Sequence, residues 1–89
     1  MANRTLEIVN EKGLHARASA KLVETVERFD AHAEISRDGQ TASGDSIMGL
    51  LMLAASRGTE IEVETGGPEA DALADAIEEL VREKFGEGM

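Results

Sequence analysis

Apolar and polar residues alternate at Leu6-Glu7-Ile8 and, more regularly, over Glu60-Ile61-Glu62-Val63-Glu64. That period of two is the mark of a strand with one buried face. Between these two segments, Ala33-Glu34-Ile35-Ser36-Arg37 and Gln40-Thr41-Ala42-Ser43 flank Asp38-Gly39, a dipeptide that accepts the positive φ angles of a two-residue hairpin turn. Elsewhere the period is helical. Ala18, Leu22, Val26 and Phe29 fall on one stripe with Lys21, Glu24 and Arg28 off it, as in an amphipathic helix. A Gly66-Gly67-Pro68 break predicts a last helix with Pro68 in its first turn. Its apolar stripe runs through Leu73, Ile77, Leu80 and Lys84, and Asp71, Asp75, Glu78 and Glu79 take the wet side. Gly86-Glu87-Gly88-Met89 is expected to fray.

The remaining segment, Ile47 to Ala55, is apolar around its whole circumference. Such a helix is either internal or shows one face to a partner, because a four-stranded layer covers only one side. Leu50 and Leu53 are expected to pack inside, and Ile47, Met48, Leu51 and Met52 to face a partner. The order is βαββαβα, an α+β fold with helices on one face of a mostly antiparallel sheet. Pattern alone leaves the strand order open between a ferredoxin-like and another split arrangement.

Length and composition narrow the function. A chain of 89 residues buries about 63% of its unfolded surface, enough for one modest core, and a single domain over residues 1–89 is expected. There is no Cys, so thiolate metal sites, disulfides and cysteine nucleophiles are excluded. Two His with scattered carboxylates fall short of a metal-ligand set, and neither a metal nor a cofactor is expected. The apolar run is too short for a membrane span and the first residues have no signal-peptide core, so a cytoplasmic location is expected.

Charge then points to one place. The net charge of −9 divides as −1 over residues 1–44 and −8 over residues 45–89, which argues against nucleic acid or an anionic membrane as a partner. Yet Lys12 to Val23 carries Lys12, Arg17 and Lys21 and no acid. His15 lies within it, at the junction of the first strand and first helix. The unpaired backbone N–H groups of a helix start, here Ala16 and Arg17, bind anions, and the Arg17 guanidinium matches phosphate oxygens. His15 is therefore the candidate nucleophile and phosphate carrier, with no acid–base partner required. His32 has no such neighbours and is expected to be structural or solvent-facing. No P-loop, GxSxG or GxGxxG motif is present.

Gly13-Leu14-His15-Ala16-Arg17 and Gly44-Asp45-Ser46-Ile47-Met48, in a βαββαβα order, resemble the HPr family of phosphocarrier proteins of the bacterial phosphoenolpyruvate-dependent phosphotransferase system. The stretch from Ser46 to Glu64 is most similar to its nitrogen-related branch, NPr. The resemblance implies an HPr-like open-faced β-sandwich with a four-stranded antiparallel sheet of order 1-4-2-3 and three helices on one face. It implies that phosphorylated enzyme I donates a phosphoryl group to Nδ1 of His15, that Arg17 stabilises it, and that a IIA-type protein receives it. Ser46 matches a serine that HPr kinase/phosphorylase modifies in some bacteria; as a residue type it also suits a plain helix N-cap. Ala18 stands where many members have Pro, which leaves the backbone anion site intact. The tail past Phe85 departs from the family, so no carboxylate near the active centre is carried over onto it. A stoichiometric carrier, not an enzyme, and a monomer, is the expected reading. The rivals are a regulatory module that docks partners through the apolar middle helix and a ferredoxin-like ligand-binding or acyl-phosphate-hydrolysing domain, neither of which needs the His15/Arg17 pair.

Overall fold

The computed structural model describes residues 1–87 and shows four strands and three helices: β1 (Ala2–Glu7), α1 (Ala16–Glu27), β2 (His32–Arg37), β3 (Gln40–Ser43), α2 (Ile47–Met52), β4 (Glu60–Gly66) and α3 (Ala70–Arg82). A single 3-10 turn, Lys84–Gly86, follows. The strands form one antiparallel sheet in the order β1-β4-β2-β3, the order that alternation alone left open and the family resemblance implied. The Asp38-Gly39 turn has φ values of 50° and 82° at its two central residues, as a mirror-image hairpin turn requires.

Alternation along the strands separates the two faces. Ile61 and Val63 of β4, Ala33 and Ile35 of β2 and Ala42 of β3 are buried beneath the helices, while Glu60, Glu62, Glu64 and Glu34 point from the open face. Helix α3 packs on β1 and β4, α2 lies against β3, and α1 bridges α2 and α3. The core joins Leu22 of α1, Leu50 of α2 and Leu73 and Ile77 of α3 to the inner sheet residues.

Several boundaries differ from the sequence pattern. The first strand begins earlier than the Leu6-Glu7-Ile8 alternation indicates, because Arg4 occupies an inward position whose charge is met by Asp75 at 2.9 Å and Glu78 at 2.6 Å. The alternation is therefore physical but disguised by a long polar side chain whose stem lies on the sheet. The same pairing leaves Glu78 half-buried, where full exposure was expected. Pro68 precedes α3, whose N-cap is Glu69. Lys84 leaves the helix with a φ of 58°, and α2 stops at Met52, two residues before Ala54 turns left-handed at 52°. That reversal brings the carbonyl of Ala55 to 2.8 Å from the backbone N–H of Leu14. A helix carried on to Ala55 would forfeit this tie between α2 and the loop holding His15.

The largest departure is at the C-terminal end. Phe85 is fully buried, and the chain doubles back through positive φ angles at Lys84, Phe85 and Gly86. Gly86 and Glu87, expected to fray, are thereby placed; Gly88 and Met89 lie outside the described residues.

Candidate functional site

The loop between β1 and α1 is built from residues 10 to 14 upward. Asn10 is fully buried and its side-chain amide donates to the carbonyl of Gly13 at 2.8 Å. Gly13 itself has a φ of 66°, and a Cβ there would stand 2.5 Å from the carbonyl oxygen of Ala55. Only glycine combines that backbone conformation with so close an approach. Leu14 then sinks into the core, and the next residue, His15, is raised to the helix start.

His15 is the N-cap of α1, with extended backbone (φ −80°, ψ −176°). Its Nδ1 accepts from the backbone N–H of Arg17 at 3.3 Å, as a capping side-chain oxygen would from an unpaired helix amide. The Arg17 amide, expected to meet phosphate oxygens, thus points at the imidazole nitrogen. The Arg17 side chain is exposed and makes no ion pair among the described residues, so its guanidinium is unengaged beside the ring. Ala16 is exposed in the same first turn.

His15, Arg17, Lys12 and Lys21 line a cleft of about 500 Å³. The acid-free segment from Lys12 to Val23 does supply a cationic wall, but Glu11 and Glu87 line the cleft as well. Glu87 is the residue sequence reading missed. Its carboxylate contacts His15 Nε2 and accepts from Asn10 Nδ2 at 3.0 Å. Burial pushes the Glu87 carboxyl up, but the hydrogen bonds from Asn10 and His15, with the charges of His15 and Lys12, outweigh it and hold it below the usual carboxylate range. The signal in the sequence was Phe85, a large apolar residue with no place on the helical stripe.

The other predicted residues fall elsewhere. Ser46 caps α2, its hydroxyl accepting from Gly49 N–H at 3.0 Å. Beside it Met48 and Met52 are 70% and 75% exposed and Ile47 40%, whereas Leu50 and Leu53 are buried as expected. Leu51, expected to be outward with them, is half-buried, because a one-and-a-half-turn helix packed against β3 and α1 cannot free four of its six residues fully. His32 is exposed at the start of β2 with its ring over Gly66, away from the cleft. A second cleft, of about 700 Å³ on the open sheet face, sets Glu7, Asp38, Glu60 and Glu62 against Arg37 alone and is unsuited to an anion. No helix among the described residues is long and apolar enough to cross a membrane.

A histidine at a helix start, open to a cationic cleft on an open-faced sandwich, defines a class of small phosphate-handling domains. Residues 2–83 match the family model described as the PTS HPr component phosphorylation site. The chain is 43% identical over 88 residues to the phosphocarrier protein HPr of Cupriavidus necator and 42% identical over 88 residues to that of Neisseria meningitidis, covering 99% of each chain in both comparisons. Among solved structures, HPr-C-His from Thermoanaerobacter tengcongensis superimposes with a TM-score of 0.94 at 32% identity, with 100% of both chains covered. The chain belongs to the HPr family of phosphocarrier proteins.

Proposed function

We propose that this protein accepts a phosphoryl group from phosphorylated enzyme I on Nδ1 of His15 and passes it to a IIA-type protein, as a single-domain, cytoplasmic monomer that meets the two partners in turn. The observation that carries this reading is the state of Nδ1. It accepts the Arg17 N–H, so it bears a lone pair and no proton, and it stands at the mouth of a cleft walled by Lys12, Arg17 and Lys21. A phosphoryl group there would find a backbone donor in place and a guanidinium within the same helical turn; charge-assisted bonds of this kind are the strong ones. Incubation with phosphoenolpyruvate and enzyme I should load one acid-labile phosphate per chain, and no loading would dismiss the reading.

The exposed apolar residues of α2 support a docking role in the same transfer. Met48 and Met52 are flexible and polarisable, suited to a surface that must fit more than one partner. Met48→Glu is expected to slow phosphorylation by enzyme I while moving the melting temperature little, since a surface change away from the core stays within roughly 0.5 kcal/mol. An unfolded Met48→Glu would show that Met48 belongs to the core instead.

Ser46, beside that surface, is the proposed site of regulation by HPr kinase/phosphorylase. A phosphate on it adds a charge of about −1.5 to −2 next to Ile47 and Met48, opposing any acidic rim on a partner. Ser46→Asp is expected to keep or slightly raise the melting temperature and to slow phosphorylation of His15. Ser46→Ala, which removes the acceptor of the Gly49 N–H, should lose about 1 kcal/mol of stability with near-normal transfer. Equal His15 phosphorylation rates in Ser46→Asp and wild type would reduce Ser46 to a helix cap.

A further inference from the structure

We infer that Glu87 is a positioning residue for His15: its carboxylate, oriented by Asn10, holds the Nε2–H tautomer of the imidazole and so keeps the Nδ1 lone pair available to phosphorus. The inference rests on the reading of His15 as the phosphoryl acceptor but concerns a residue outside the matched family region, residues 2–83.

Three contacts carry it. Glu87 Oε2 meets His15 Nε2, and an ionised carboxylate can only accept, so the proton of a neutral ring is drawn to Nε2. On the other side of the ring, Arg17 N–H can only donate, so Nδ1 must be the acceptor. The two neighbours demand the same tautomer. The third contact fixes the carboxylate itself: Asn10 Nδ2 donates both to Gly13 O at 2.8 Å and to Glu87 Oε1 at 3.0 Å. Asn10 is fully buried, so its amide is a rigid support.

The strap that delivers Glu87 is anchored independently. Phe85 is sealed in the core, and Lys21 Nζ donates to its carbonyl at 2.6 Å. During transfer, the Nδ1 lone pair forms the new N–P bond as the bond from phosphorus to the donor breaks and its electron pair leaves with the donor. The Nε2 proton stays on the ring. The positive charge the ring acquires then faces a carboxylate already in place, the arrangement by which an orienting acid serves a catalytic histidine without itself taking the proton. The other charged groups lining the cleft, Glu11, Lys12, Arg17 and Lys21, make no hydrogen bond to Nε2 among the described residues, which leaves Glu87 as the group that selects the ring proton.

Glu87→Gln tests this with little change of shape. The Gln carbonyl oxygen is claimed by the rigid Asn10 donor, which turns the Gln NH₂ toward Nε2 and offers a donor where the ring also needs to donate. The His15 population is expected to shift toward Nδ1–H, seen in the ¹⁵N shifts of the imidazole at a pH well above the ordinary histidine range, with the exposed His32 unchanged as internal reference. Phosphoryl uptake from enzyme I should fall about tenfold in Glu87→Gln and less in Glu87→Ala, where water can accept from Nε2. Melting temperatures of both variants establish that they are folded. An unaltered His15 tautomer in Glu87→Gln, or a shifted tautomer with an unaltered rate, overturns the inference. Failure of the wild-type chain to take up phosphate would instead overturn the carrier reading, and the tautomer measurement would still decide whether Glu87 orients the ring.

Discussion

His15→Ala is expected to take up no acid-labile phosphate when incubated with enzyme I and phosphoenolpyruvate, while folding normally. The expectation of a normal fold comes from what His15 contributes to α1. Its carbonyl accepts the Ser19 N–H at 2.8 Å, a backbone bond that alanine retains, and the side-chain bond lost, to Arg17 N–H at 3.3 Å, is long for a cap. A stability loss of no more than about 1 kcal/mol should result. The loss of phosphate is complete because no second nucleophile can stand in. His32, the other imidazole, lies at a strand end opposite Gly66, with neither a helix-start amide nor the Lys12, Arg17 and Lys21 wall. Mass spectrometry of the phosphorylated wild type should place the modification on His15 alone; phosphate on His32, or full uptake by His15→Ala, is incompatible with the site.

The parts of this site that were legible in the sequence are those set by local rules. The His15 cap follows from a strand-to-helix junction whose first turn contains Ala16, Arg17 and Ala18, and the Ser46 cap from a short polar residue in front of an apolar run. The Asp38-Gly39 turn fixed the hairpin. Strand order was not legible from alternation, since every permutation of four half-buried strands satisfies the same period; it came from the resemblance. The start of β1 was hidden by Arg4, which is polar by type yet inward by position, its charge met by Asp75 and Glu78. Glu87 was out of reach for a different reason. Its contact with His15 spans 72 positions and depends on a reversal at Lys84, Phe85 and Gly86 in which two residues other than glycine take positive φ. Propensity disfavours that backbone, and only the burial of Phe85 compensates for it.

That compensation is open to measurement. Phe85→Ala is expected to lower the unfolding free energy by about 3–5 kcal/mol, a large part of the roughly 5–15 kcal/mol available to a small domain. Phe85 is among the largest fully buried side chains and packs in the same cluster as Leu22, Leu73, Ile77 and Val81. Its removal leaves a cavity that the close-packed helices can fill only in part. Alanine also retains a Cβ, so the strain at φ 55° persists with nothing to hold it, and the 3-10 turn should open. Urea unfolding then reads two consequences. The midpoint should fall strongly, and in the fraction still folded His15 should behave as it does in Glu87→Ala, because Asn10 and His15 meet Glu87 only while the strap is seated. A loss below about 1 kcal/mol would mean that Phe85 does not belong to the core. A full loss of stability with an undisturbed His15 tautomer would mean that Glu87 reaches the ring without its anchor, and would separate the packing of the strap from its action on the imidazole.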